Sequence, residues 1–132
     1  MKISDQFLYN WINLLSKGKH IEQAIEVLNE IESRDDKYYT FTSWFYYRIK
    51  EFDKSESAAI QLYQLNPTGK TAFRIAYLNE FHLLNIPKAI EYYNIALDKK
   101  EYQAASRLGD VYFQQEDLEN ALRFMKWRLR ME

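Results

Sequence analysis

Small residues recur along this chain at a spacing that a single helix cannot explain. Ala24, Ser55, Ala89 and Ala121 are separated by steps of 31, 34 and 32 residues, and self-similarity at such a period marks a chain built by stacking one supersecondary unit. The last copy is the fullest: Leu108-Gly109-x-x-Tyr112 precedes Ala121 by nine residues, counted from Tyr112. That distance joins two helices across a turn. A chain with this period presents a stacked surface, so its class of function is constrained before any site is identified.

Apolar periodicity fills in the helices. Phe7, Leu8, Trp11, Ile12 and Leu15 form one stripe, and Ile21, Ala24, Leu28 and Ile31 the next. Gly18 lies between them, where a left-handed turn would be tolerated. A second pair runs through Tyr39, Phe45, Tyr46 and Ile49, then Ala58, Ala59, Leu62 and Leu65. Asp53 and Glu56 read as a capping box for its second helix, and Asn66-Pro67 as its stop. Phe73, Ala76, Tyr77 and Leu84 precede Ala89, Tyr93, Ala96 and Leu97 in the third pair, with Asn85 and Pro87 as helix-start signals. The fourth carries Leu108, Val111 and Tyr112, then Ala121, Leu122, Met125 and Leu129, with Asp117 as N-cap. The expectation is an all-α chain of eight helices, each roughly 11–15 residues long.

Composition narrows the partners. Eighteen basic residues against nineteen acidic ones leave no global field to draw the chain to nucleic acid or to an anionic membrane. Cysteine is absent, which removes disulfides, thiolate catalysis and zinc–sulfur sites. Three glycines and two prolines are too few for the turns of a β-sandwich. Asp5, Gln6 and Asn10 interrupt any signal-like apolar run, and no stretch nears the roughly 20 residues of a membrane span, so a cytoplasmic location is expected. Aromatic residues reach 17%, more than a small core needs, so some should face outward.

Leu108, Gly109, Tyr112 and Ala121, the run Ala89-Ile-Glu-Tyr-Tyr93-Asn-Ile-Ala96, and the Leu-Asn-Pro67 terminus together resemble the tetratricopeptide repeat (TPR) family. The resemblance implies a right-handed α-solenoid of about four antiparallel helix pairs in one domain over 1–132, with repeats near 5–35, 36–69, 70–101 and 102–132. Ile12 and Tyr77 stand where the family keeps a small residue, and Met125 where it keeps an aromatic one. First helices would line the concave side. Register then yields columns: Lys17, Arg48, His82 and Gln114; Ser16, Tyr47, Phe81 and Phe113; Asn13, Trp44, Leu78 and Asp110; Tyr9, Thr40, Arg74 and Ser106.

From these columns Tyr9, Asn13, Lys17, Trp44, Tyr47, Arg48, Arg74, Phe81, His82 and Phe113 are taken as a partner-binding groove. Its rings interleave with cations, which suits a protein or peptide bearing acidic and apolar side chains. In family members that clamp a terminal carboxylate, Asn13 would match one clamp position, but Tyr9 replaces the expected Lys. The final helix alternates Arg123, Lys126, Arg128 and Arg130 with Phe124, Trp127, Leu129 and Met131. Phe124, Trp127 and Arg130 make it a candidate docking helix, and a homodimer through it is the alternative to groove binding.

Reactive constellations are missing. Thr68-Gly69-Lys70-Thr71 matches the end of a phosphate-binding loop, but Gln64 stands where the first glycine belongs. His20 and His82 are 62 residues apart, with no carboxylate at ligand spacing. The expectation is a non-catalytic interaction module without cofactor or metal, acting as an adaptor or as the inhibitor of one dedicated partner.

Overall fold

Ser4, Asp35, Thr68, Asn85 and Asp117 each stand just ahead of a helix and accept a hydrogen bond from a backbone N–H of its first turn, at 3.0–3.2 Å. These caps satisfy donors that a helix start otherwise leaves open. The Thr68-Gly69-Lys70-Thr71 run is accordingly a helix start. The computed structural model describes residues 2–131, which form eight α-helices and no strand. They are α1 (Asp5–Lys17), α2 (Ile21–Leu28), α3 (Asp36–Arg48), α4 (Phe52–Leu65), α5 (Gly69–Phe81), α6 (Ile86–Asp98), α7 (Gln103–Gln114) and α8 (Leu118–Met131). Consecutive helices pack as pairs, and the contacts gather into two compact units, one ending at Asn66 and the other starting at Pro67.

The turn inside each pair obeys the same period as the small residues. Lys19, Lys50, Leu84 and Glu116 have φ between 57° and 64°, and each lies five residues before Ala24, Ser55, Ala89 or Ala121. At Lys19, Lys50 and Glu116 the helix closes as a Schellman motif. The residue after the left-handed one donates back to the carbonyl five residues earlier at 2.9 Å (His20 to Leu15, Glu51 to Tyr46, Asp117 to Tyr112). Leu84 departs from this: Asn85 reaches further back, to the Asn79 carbonyl at 2.9 Å. The left-handed residue in the first turn is thus Lys19 rather than Gly18, whose φ is −81°.

Once the turn has reversed the chain, the small residues set how near the helices come. Ala24, Ser55, Ala89 and Ala121 are all buried. Ser55 would leave a hydroxyl in the core, but it donates to the Ser43 carbonyl at 2.7 Å. The first unit closes on large aliphatic side chains, among them Ile12, Leu28 and Ile31, around Phe45. Beyond Pro67 the core is rich in alanine (Ala72, Ala76, Ala89, Ala96, Ala104, Ala105), with Ile75, Leu108 and Val111 between. Gly109 is buried too, and a Cβ there would meet Phe124 Cβ at 3.7 Å and the Ala121 carbonyl at 3.8 Å, ordinary contact distances.

Three expectations change. Helix α2 spans only 8 residues, because the Glu32 and Ser33 amides donate to the Asp5 carboxylate at 3.2 Å each and draw the chain into a connection. Those amide bonds, the Glu32 one foremost, hold the Asp5 pKa below the usual carboxylate range. Asp53 and Glu56 form no capping box: α4 begins two residues earlier than they require, after Glu51, with no side-chain cap. The end helices also bury less of their stripes than periodicity implies. Phe7 and Trp11 of α1, and Leu122, Met125 and Leu129 of α8, are exposed.

A buried ion pair ties three helices of the second unit. Glu80 of α5, 6% exposed, accepts from the Tyr93 hydroxyl of α6 at 2.6 Å and from Arg107 Nε of α7 at 3.1 Å. A second guanidinium nitrogen of Arg107 bonds the other Glu80 oxygen, and its third reaches Asp110 at 3.1 Å. Burial first, then the Glu80 carboxylate, raises the Tyr93 pKa far above the usual phenol range, and the hydrogen bonds to Glu80 raise that of Arg107. The fork geometry of guanidinium on carboxylate leaves Glu80 no unpaired oxygen.

Thermal and denaturant melts test this account. Gly109→Ala should hold or raise stability by up to about 1 kcal/mol through helix propensity, while Gly109→Leu should lower it by about 1–3 kcal/mol through overpacking. Lys50→Gly should gain about 0.5–1 kcal/mol, since glycine relieves the left-handed conformation but is freer when unfolded. Arg107→Met should cost about 2–4 kcal/mol, because it strands the Glu80 charge, somewhat moderated by the partial exposure of Arg107. Glu80→Leu combined with Arg107→Met should cost less than the two single changes added together.

Candidate functional site

Helix α3 carries the tightest cluster of the expected contact residues. Trp44 and Arg48 are one helical turn apart and both exposed, and the Arg48 guanidinium lies 5.2 Å from the Trp44 ring centre. Such a stack holds a cation over an aromatic face while leaving its N–H groups open to a carboxylate. Tyr47, half-buried, packs edge-on to Phe52 with ring centres 5.6 Å apart. Phe45, next to Trp44 and about a quarter-turn round α3, is buried with its ring centre 5.5 Å from that of Trp44, and it anchors the helix. Orientation of the site residues therefore follows from Phe45 facing the core.

On α1 the expected residues divide. Asn13 and Lys17 are exposed. Tyr9 is not: it is 5% exposed, its ring centre lies 5.5 Å from that of Phe41, and Lys37 Nζ covers the ring at 4.2 Å. It belongs to the core of the first unit, because α1 turns its Leu8–Tyr9–Ile12 face inward. The Tyr9 hydroxyl has no hydrogen-bond partner among the described residues. Burial, followed by the Asp35 and Asp5 charges, pushes its pKa up to about 12. As a partner contact Tyr9 is withdrawn.

In the second unit the surface centres on Phe81. Its ring is exposed, lies 4.6 Å from that of Tyr77, and is covered on another side by the Arg107 guanidinium at 4.8 Å. The same guanidinium holds Glu80, so the buried ion pair fixes the cation beside Phe81. His82, half-buried at the end of α5, lies 6.4 Å from Tyr77, centre to centre. Arg74 is exposed overall, yet its guanidinium is desolvated enough to lower its pKa, and it forms no ion pair among the described residues. Phe113 stands exposed on α7.

The α8 candidates separate as well. Phe124 is buried, its ring stacked parallel to Tyr112 with centres 5.8 Å apart, so it completes the core and is no docking contact. Trp127 is half-buried against Tyr102 at 5.7 Å, and Arg130 is exposed. Ala121 and Phe124 face α7, while Leu118, Leu122, Met125 and Leu129 stand exposed on the neighbouring side of α8, Met125 still beside Gly109 of α7.

Arg107 and Glu80 were the residues that sequence reasoning passed over, and a signal for them existed. Stepping by the repeat register, the Glu80 position holds Leu15, Tyr46 and Tyr112, and the Arg107 position holds Asn10, Phe41 and Ile75. Opposite charges in two columns that elsewhere carry mainly apolar residues are the mark of a pair.

The sequence matches no family profile and no curated protein. Among solved structures, the chain is similar to a crystal structure of MamA, with a TM-score of 0.81 and 18% identity over 95% of this chain and 76% of that one. A second MamA structure, MamA MSR-1 C2, aligns with a TM-score of 0.71 and 20% identity, over 85% of this chain and 67% of the other. MamA is TPR-like, and at such identities the likeness concerns the fold. The chain has an all-helical, TPR-like repeat fold.

Proposed function

We propose that this protein is a non-catalytic scaffold that binds a protein or peptide with acidic and apolar side chains. The exposed Trp44–Arg48 stack carries the reading. An aromatic face with a guanidinium held beside it can take an apolar side chain and a neighbouring carboxylate together, and Trp and Arg are the residue types on which interface energy concentrates. Asn13, Lys17 and Tyr47 extend that surface in the first unit. Arg74, Phe81, His82 and Phe113 offer a second surface of the same chemistry, where Arg107 already sits over Phe81. A helical-repeat fold supports the reading, since such arrays expose broad faces rather than closed cavities.

Under this reading the protein acts as an adaptor or as the inhibitor of one dedicated partner, in the cytoplasm, without a cofactor. No helix among the described residues is long and apolar enough to cross a membrane. The acidic character assigned to the partner follows from the unpaired Arg74 and from Arg48, whose N–H groups project from the stack.

The test uses fluorescein-labelled peptides in which Glu alternates with Leu or Phe, titrated against the full chain by anisotropy, with Lys-for-Glu peptides as controls. Trp44→Ala with Arg48→Ala should weaken binding of the Glu peptides by about tenfold or more, in line with hot-spot truncations. Tyr9→Phe, which removes only a buried hydroxyl, should leave binding unchanged. Equal affinity for Glu and Lys peptides, or full affinity in a folded double variant, would show that this surface is not the binding site.

A further inference from the structure

The exposed apolar faces at α1 and α8 differ in the charge that surrounds them. On α1, Phe7, Trp11 and Leu14 project from the side opposite the buried Tyr9, and Ile3 is exposed just ahead of the helix. Between α1 and α2 lies a groove of about 470 Å³ whose apolar lining is Ile3, Leu8, Trp11 and Val27, with Glu26 and Glu30 on its rim. Those two carboxylates form no ion pair among the described residues, whereas Glu32, also at the groove, is taken by Lys2 at 2.8 Å. On α8, Leu118, Leu122, Met125 and Leu129 form an exposed stripe at helical spacing. Four cations and one carboxylate share that helix (Arg123, Lys126, Arg128 and Arg130 against Glu119). Lys126 and Arg130 lie beside the stripe and are exposed.

We propose that α8 of one copy docks on the α1–α2 groove of a second copy. An amphipathic helix laid in an apolar groove is a general mode of recognition, and here the cations flanking the Leu118–Leu129 stripe meet the unpaired Glu26 and Glu30. Two α8 helices, or two grooves, would instead set like charges against each other, which disfavours a symmetric contact of either face with itself. Each copy offers both a helix and a groove, so the contact serves equally for a reciprocal exchange between two copies or for passing from one copy to the next. None of the residues involved belongs to the Trp44–Arg48 or Phe81 surfaces.

Sedimentation velocity on the full chain, across concentration and at low and high salt, tests the proposal. Wild type should associate with rising concentration, less so at high salt. Lys126→Glu with Arg130→Glu on α8, and Glu26→Lys with Glu30→Lys at the groove, change only exposed side chains. Circular dichroism should therefore show both double variants folded. Each variant alone should associate at least about tenfold more weakly than wild type, and an equimolar mixture should recover association, because every junction between unlike copies is again complementary. Three results would overturn the proposal: wild type that stays monomeric to its solubility limit, a groove variant that associates as wild type does, or a mixture no more associated than its parts. The second of these would point to α8 pairing with itself.

Discussion

The close approach of paired helices at one small residue is the constraint on which the fold depends. Ala24, Ser55, Ala89 and Ala121 are buried, and each follows by five residues a backbone position of positive φ. The two features work together. A left-handed residue reverses the chain in the fewest steps, which brings the second helix down immediately beside the first. A small side chain one turn into that helix then lets the backbones meet. No glycine occupies any of these left-handed positions, although glycine would do so at least cost. Lysine, leucine and glutamate stand there instead, and the surrounding hydrogen bonds enforce the conformation at Lys19, Lys50 and Glu116. Spacing of the small residues therefore reports the turns as faithfully as it reports the packing.

That coupling explains how much of the fold was legible. Order and type of the eight helices follow from the small-residue period, the caps Asn85 and Asp117 and the stop at Asn66-Pro67, all of which act within one turn of the residues that carry them. Gly18 marks the first turn, as a glycine between helices can, while the turn geometry places the left-handed conformation one residue later, at Lys19. Asp53 and Glu56 misled because their spacing alone satisfies a capping box; α4 instead starts after Glu51, as the Schellman turn at Lys50 dictates. The end of α2 was beyond a local reading altogether, since it depends on Asp5, distant by 27 residues, reaching the Glu32 amide.

The candidate site was legible where register and burial agree. Trp44 and Arg48 lie one turn apart on the face adjoining buried Phe45, whose ring backs that of Trp44 at 5.5 Å, and periodicity separates the open face from the buried one. Tyr9 fails the same test because α1 buries a face broad enough to include Leu8, Tyr9 and Ile12. Beside Phe81 the decisive cation comes from Arg107 on another helix, held by a carboxylate whose oxygens are otherwise out of water. A pairing of that kind joins residues 27 apart and leaves no local pattern. It shows only as opposite charges in two columns that should be apolar. The Glu80–Arg107 pair thus has two consequences from one geometry: it satisfies a buried carboxylate and it fixes a guanidinium against an exposed ring.

Periodicity also overstates burial where a helix has a neighbour on one face only. Apolar residues on α1 and α8 cover more of the helix surface than their partners α2 and α7 can bury, and the sequence pattern does not distinguish the covered part from the rest. Phe124 and Leu122 are only two residues apart, yet one is core and the other lies open. What separates them is rotation: Ala121 and Phe124 point at α7, while Leu118, Leu122, Met125 and Leu129 follow one another along the outer side. Apolar side chains on that outer row pack only in part within their own unit, Met125 beside Gly109 among them, and leave 45–71% of their surface open, more than packing against α7 accounts for. Opposite charge around the two exposed rows supplies the account. Carboxylates rim the groove at α1–α2 and cations flank the stripe of α8, so each face is suited to the other and ill suited to itself.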